Sequence, residues 1–381
     1  MQKKHVNLLM NYDLLLPLFL LTLLSCFVQY WIAANEAHNA WVAGGKQALF
    51  ILVGYLGMFI ASRINQKMIW QLAPYFYFLT LLLMASLYVL YDPTMYQLTG
   101  TKRWLDLGVV KFQPSEIAKI AYILMLSKVI VTHEQGAFLT KLQADFSLIK
   151  KMCLWSLPVF LLMAVQKDFG TSLVFLTILL ALFVVAGIDK KILWAIFTIL
   201  AALGCLLILL VFTSWGNQIL FMLHFKQYQL NRILAWLHPL EYADHISFQQ
   251  VQGLLAVGSG GLFGKGVHGV QVYVPVRESD MVFTFIAEAW GFVGSTAIVF
   301  LYFMLFYQIV IAGLKSNSRF CLYICVGFLF SLGFQTIENI GAVIGLLPLK
   351  GIPLPFLSQG GTSLVMAISA LGFIKRPNAK A

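Results

Sequence analysis

Apolar residues in this chain come in long runs, not in the alternation of a half-buried strand or the one-sided stripe of a soluble helix. The runs fall at residues 12–34, 47–62, 69–91, 114–132, 152–166, 169–187, 192–213, 281–313, 320–346 and 356–375. A helix needs roughly 17 to 25 mostly apolar residues to cross a bilayer. The pattern therefore predicts an all-α polytopic membrane protein with about ten transmembrane helices. Most connections are short, but two are long, at about 92–116 and 214–280. The second, between helices 7 and 8, holds apolar runs at 219–225, 233–240 and 254–263 that are too short to span. These are expected to form short interfacial or re-entrant helices against the membrane surface or over a cavity. No soluble domain, internal repeat or low-complexity tract interrupts the pattern, so residues 1–381 read as one integral membrane domain.

Composition agrees, with 60% hydrophobic and 11% charged residues and a mean hydropathy of +0.84, far from the balance of a soluble domain. A net charge of +11 would suit nucleic acid, but most basic residues sit in short segments between apolar runs, as membrane topology demands. Nucleic acid is therefore excluded as a partner. With Met1 inside, the cytoplasmic segments receive Lys3, Lys4, Arg63, Lys67, Lys141, Lys150, Lys151, Lys190, Lys191, Lys315, Arg319, Lys375, Arg376 and Lys380. Both termini are expected in the cytoplasm and both long segments outside. The first run, from Leu14 to Ala33, is too long for the core of a signal peptide and reads as a retained helix. Cations also gather in the two outer segments, which argues for an anionic ligand, although long outer loops are exempt from the charge rule. The five cysteines, Cys26, Cys153, Cys205, Cys321 and Cys325, all lie in apolar runs and read as packing residues.

Candidate chemistry centres on Val274 to Glu288, VPVRESDMVFTFIAE, where a polar turn with Arg277 and Asp280 runs straight into the apolar segment that begins at Met281. Glu288 lies two helical turns further in, on roughly the face of Met281 and Thr284. In KFQPSEIAK, Pro114 suits a first helical turn, and Glu116 and Lys119 are spaced to pair on one face. That pair is either structural or, with Arg103, a contact for phosphate. Asp168 of QKDFGTS either caps a helix or, with Asp280, offers an outer carboxylate to a cation. The Gly-rich run Gly258 to Gly266 fails the phosphate-loop pattern and reads as a hinge, though Lys265 and its amides can meet an anion. Near the end, Glu338 and Asn339 sit inside an apolar run. The segment Gly341 to Gly361 that follows, with three prolines, cannot be one regular helix. Irregular backbone at membrane depth belongs in a cavity wall.

Taken in order, RWLDLG with FQPSEIAK, QKDFGTS, FQQVQGLLAVGSGGLFGKG, VPVRESDMVFTFIAE and NIGAVIGLLPLKGIPLPFLSQGG resemble the SEDS family, which contains RodA and FtsW. The resemblance covers nearly the whole chain, and the RESDMVFTFIAE wording and short termini lean to the RodA branch. It implies a peptidoglycan glycosyltransferase of the bacterial cytoplasmic membrane, polymerising lipid II on the outer face for cell elongation and shape. Its implied partners are a class B penicillin-binding protein, other elongation-machinery proteins and membrane lipid. The family's essential loop aspartate falls on Asp280, its arginine before tryptophan on Arg103, and its QPSExAK motif on Gln113, Pro114, Ser115, Glu116, Ala118 and Lys119. Two departures are Gln359 and Thr362 in the terminal Ser-Tyr-Gly-Gly-Ser pattern, and Arg277 with Glu278 ahead of the aspartate.

On this reading Asp280 is the catalytic base. Arg103, Lys119, Lys111, Arg277 and Lys265 meet substrate or pyrophosphate, with Glu116, Gln113, Asp168, Glu288, Glu338 and Ser358 in support. A divalent cation, Mg2+ or Mn2+, is the expected cofactor, with Asp280 and Asp168 as candidate ligands, and no organic cofactor is expected. An FtsW-type division polymerase, a lipid II flippase and a noncatalytic scaffold are the competing readings.

Overall fold

The computed structural model describes residues 12–106, 111–136, 140–222, 227–243 and 245–375. The basic residues Lys3, Lys4, Arg376 and Lys380, and the Leu107–Gly108 end of the RWLDLG motif, lie outside this set. Among the described residues fourteen α-helices and one short strand pair follow in the order α1 (Leu15–Asn35), α2 (Ala40–Arg63), α3 (Gln66–Ser86), α4 (Pro93–Thr99), β1 (Leu105–Asp106), β2 (Lys111–Phe112), α5 (Pro114–Glu134) and α6 (Lys141–Gln166). They continue with α7 (Phe169–Val185), α8 (Lys190–Val211), α9 (Ser214–Met222), α10 (Gln227–Leu237), α11 (Phe248–Ser259), α12 (Val282–Leu314), α13 (Arg319–Val343) and α14 (Thr362–Ala370).

Each predicted spanning run falls on a helix. Among the described residues seven helices, α1, α2, α3, α6, α8, α12 and α13, are long and apolar enough to cross a membrane. Of the other three, α7 is short at 17 residues, α14 has nine, and α5 is long but carries Glu116, Lys119 and Lys128. Polar side chains start several of them: Asn39, Asn65, Thr140 and Asp168 accept from the backbone N–H groups of Val42, Met68, Gln143 and Thr171, donors that a first helical turn would otherwise leave unpaired. The short runs of the second long segment form α9, α10 and α11, whose 9, 11 and 12 residues are too few to span.

The helices group into two compact units interleaved along the chain. The first comprises Met1–Ala186, Ala297–Thr336 and Pro355–Ala381. Within it α5 is buried at nearly every position, and α2 meets α14 closely because Gly54 and Gly57 face Ile368 and Ser369. Residues 355–361 are irregular, and side chains answer for their backbone. Ser25 and Gln29 donate to Leu357 O, and Gln47 donates to Ser358 O while accepting from Gly360 N. A non-helical strap buried in protein is permitted only when its polar groups are paired in this way.

The second unit comprises Gly187–Thr296 and Ile337–Leu354. Here α8 meets α9 and α10 through Val211, Leu220 and Leu230. The Gly-rich run reads as a hinge in the sequence, and the structure corrects that reading. Helix α12 breaks at Gly291, where φ is +63°, a left-handed value that glycine adopts without a steric cost. Around the break, Lys265 N and Gly266 N donate to the carbonyls of Glu288 and Ala289, while Phe292 N and Val293 N donate to Gly261 O and Leu262 O. The two bonds that an unbroken helix would make between these groups, Phe292 N to Glu288 O and Val293 N to Ala289 O, are replaced by four to the loop. A segment fastened through both edges is a plug, not a hinge.

Candidate functional site

In the second unit the functional side chains are set by the approach to α12. Val276 has φ +55°, which is unusual for a β-branched residue and marks a strained backbone. Ser279 N closes the turn onto Val276 O at 3.1 Å, and Asp280 follows immediately. The Asp280 main-chain oxygen accepts from Asn339 Nδ2 at 2.6 Å, and the same amide donates to Ile352 O at 2.8 Å. On the carboxylate side, a Cβ built on Gly351 would lie 3.5 Å from Asp280 Oδ2. The irregular strap after α13 thus passes directly beside the carboxylate.

Eight residues further along the chain, a fully buried carboxylate gathers donors. Glu288 has 0% exposure and accepts from Arg277 Nη2 at 2.7 Å, Lys265 Nζ at 3.0 Å, Gln271 N at 2.9 Å and Val272 N at 3.1 Å. Arg277 Nε also donates to Thr284 Oγ1 at 3.2 Å, so the guanidinium lies along the first turns of α12. Lys265 and Arg277, read from the sequence as substrate contacts, are occupied internally by Glu288. Glu338 is 1% exposed, and its charge acts on Lys350, whose ammonium burial pulls below the usual lysine range.

In the first unit the expected cations are also engaged, to different degrees. Lys119 Nζ lies 2.9 Å from Glu116 Oε2 and donates to Gln335 Oε1 at 3.1 Å, with both charged side chains buried. The pairing read from the sequence is present, and Gln335 completes it. Arg103 Nη1 approaches Asp168 Oδ1 at 3.7 Å with its side chain 20% exposed. Asp168 caps α7, accepting from Thr171 N at 3.1 Å and Thr171 Oγ1 at 2.8 Å. Lys111 Nζ pairs with Asp92 Oδ2 at 3.0 Å and keeps 47% of its side chain exposed. Hydrogen bonds from the Thr94 hydroxyl, Lys111 and the N–H groups of Met95 and Thr94 hold the Asp92 carboxyl well below the usual range. Gln113 donates from Nε2 to Ser115 Oγ and from its backbone N to Thr362 Oγ1, which in turn donates to Lys111 O. Ser358 lies in the strap held by Gln47.

Among the described residues no three or more His, Cys, Asp and Glu gather to hold a metal ion. Both oxygens of Asp168 accept from Thr171, and Arg103 pairs with it as well, so this candidate ligand is already committed. Among the described residues the donor set builds no resident metal centre. Sequence reasoning missed Asn339, Gln335 and Asp92 as site residues. Gln335 and Asn339 each carried a signal, a polar amide inside an apolar run.

Comparison with known proteins adds four findings. A family described as cell cycle protein, covering FtsW, RodA and SpoVE, matches residues 7–380. The probable peptidoglycan glycosyltransferase FtsW of Coxiella burnetii is 32% identical over 340 residues, covering 87% of this chain and 85% of that protein. Peptidoglycan glycosyltransferase MrdB of Escherichia coli K12 is 32% identical over 329 residues, covering 85% and 82%. Among solved structures, a chain from a peptidoglycan synthase complex that coordinates polymerization and crosslinking superposes with a TM-score of 0.77 at 26% identity, covering 96% of each chain.

Proposed function

Since this chain belongs to the FtsW/RodA/SpoVE family of cell cycle proteins, we propose that it is a peptidoglycan glycosyltransferase that polymerises lipid II at the cytoplasmic membrane. The observation that carries the reading is the placement of Asp280, held by its main chain to α13 between a strained turn and the strap at Gly351. Strain of this kind persists where the surroundings over-determine a conformation, as at sites of chemistry.

The donor sugar is attached to undecaprenyl pyrophosphate, which leaves as a stabilised anion and needs no general acid. One carboxylate therefore suffices, unlike the pair required by an inverting glycosidase. The acceptor 4-hydroxyl attacks the anomeric carbon, the bond from that carbon to the phosphate oxygen breaks with its electron pair, and Asp280 takes the hydroxyl proton. The α linkage inverts to β-1,4. Arg103 and Lys111, whose side chains stay partly exposed, are assigned to pyrophosphate charge. Lys119, Arg277 and Lys265 are assigned to holding the internal carboxylates that engage them. Mg2+ or Mn2+ stays a proposed companion of the pyrophosphate, and no step depends on it.

The expected partner is a class B penicillin-binding protein, in keeping with the synthase complex that the chain resembles. We place the protein in elongation on its RodA-like RESDMVFTFIAE wording, with both termini in the cytoplasm.

The test is polymerisation of labelled lipid II by the purified chain in detergent micelles, alone and with the elongation or division transpeptidase of the same cell. Micelles have no second leaflet, so flipping contributes nothing. Wild type should give glycan ladders, Asp280→Asn should lose at least about 100-fold, and the elongation partner should stimulate more. Ladders of wild-type intensity from Asp280→Asn would remove the base, and stimulation by the division partner alone would move the protein to division.

A further inference from the structure

Asn339 stands near the end of α13, 2% exposed. Its amide nitrogen has two protons, and both are used. One goes to the carbonyl of Asp280 and the other to the carbonyl of Ile352. Two carbonyl acceptors fix the orientation of the amide, because only its nitrogen can donate. The two segments so joined are the ones that meet at the carboxylate, since Gly351, one residue before Ile352, is the residue whose Cα passes beside Asp280 Oδ2. Gly351 has φ +71°, so the strap reaches this position in a left-handed conformation that most side chains resist. The turn on the other side is strained at Val276. Glycine takes its conformation without a steric cost, so the strain lies in the turn, and a tie from a regular helix explains why the turn keeps its place against the strap.

We propose that Asn339 is a positioning residue for Asp280: by clipping the Asp280 and Ile352 main chains to α13, it sets where the carboxylate stands relative to the attacking hydroxyl. The inference rests on the reading of Asp280 as the base. No other common side chain of this size does the same work. Aspartate matches the shape but offers no donor when ionised, serine offers one, and alanine none.

The experiment compares full-length wild type, Asp280→Asn, Asn339→Ala, Asn339→Asp and Asn339→Ser in detergent. It measures kcat and KM for lipid II, the pH–rate profile and the thermal midpoint. Displacing a reacting group by about 1 Å costs about 100-fold in rate, so Asn339→Ala and Asn339→Asp should lose about 10- to 100-fold in kcat. KM should stay within about twofold, and the acid limb of the profile should move by about half a pH unit or more as the carboxylate leaves its place. Asn339→Ser, with one donor, should fall between. A merely structural defect would lower the folded fraction and scale the profile without moving its limb. That result, or wild-type kcat in Asn339→Asp, overturns the inference. If Asp280→Asn is inactive while Asn339→Ala and Asn339→Asp are fully active, the clip fails alone. If Asp280→Asn polymerises normally, the base reading fails and takes the clip with it.

Discussion

Glu288 and Arg277 form a buried pair whose value depends on both members being present. Glu288 has no exposed surface and Arg277 only 4%, so the attraction between them offsets the cost of removing two charges from water. Removing one partner leaves the other charge buried and uncompensated, which costs about 3–5 kcal/mol. Glu288→Gln keeps the shape, and its carbonyl can still accept from Gln271 N and Val272 N, so the loss isolates the charge. We expect a large fall in the thermal midpoint of the purified protein for Glu288→Gln and a small one for Lys265→Met. Lys265 is 30% exposed, and without it Glu288 still accepts from Arg277, Gln271 N and Val272 N, so the loss should be about 1 kcal/mol or less. Equal midpoints for the two variants would show that the Arg277 pair does not hold this region. The sequence placed Glu288 on the right face of its helix, since Arg277 bridges Thr284 and Glu288. It did not reveal that Arg277 turns inward, because a cation four residues ahead of an apolar run reads equally well as facing substrate. The same ambiguity covered Lys265 and Lys119, whereas the spacing of Glu116 and Lys119 disclosed its partner because i,i+3 neighbours meet on any helix.

Among elements, α12 shows what hydropathy conveys and what it omits. Its apolar run predicted a helix from 281 to 313, and the helix occupies Val282–Leu314, yet the break at Gly291 left no mark in the apolar pattern. A break is legible only through the segment that satisfies it, and here that segment is the Gly-rich run some thirty residues earlier in the chain. For the same reason the strap after α13 could be read as irregular from its prolines, while the residues that pair its backbone could not be named. Helix α6 begins at Lys141 rather than near 152, because its first turns mix lysine, glutamine and aspartate with apolar residues and fall below any hydropathy threshold. Two glycines of the plug separate conformational from steric demands. Gly261 (φ +55°) faces open space, whereas a Cβ on Gly264 (φ +80°) would overlap the main-chain oxygen of Ala289. Gly261→Ala should cost only the left-handed penalty of about 1–2 kcal/mol. Gly264→Ala should cost about 3 kcal/mol or more, since the plug must also move off α12. Thermal unfolding of both variants in one detergent measures the difference, and equal losses would mean that close approach to α12 carries no weight.

At the scale of the whole molecule, the distribution of lysine and arginine bears most directly on function, because it decides which side of the membrane holds Asp280. The prediction follows from charge alone. The connections that carry Lys190 and Lys315 belong on one side, and the long segment through Glu241 to Asp280 on the other. Glu241, Lys190 and Lys315 are all exposed, so a cysteine at each would be open to a water-soluble reagent. In a variant whose five native cysteines are replaced, a membrane-impermeant maleimide applied to intact cells should label Glu241→Cys. It should leave Lys190→Cys and Lys315→Cys unlabelled until the membrane is permeabilised. The reverse pattern would invert the topology and place Asp280 in the cytoplasm. There the carboxylate could not act on strands laid down outside the cell, and a carrier of lipid II across the bilayer would become the better reading of the same residues.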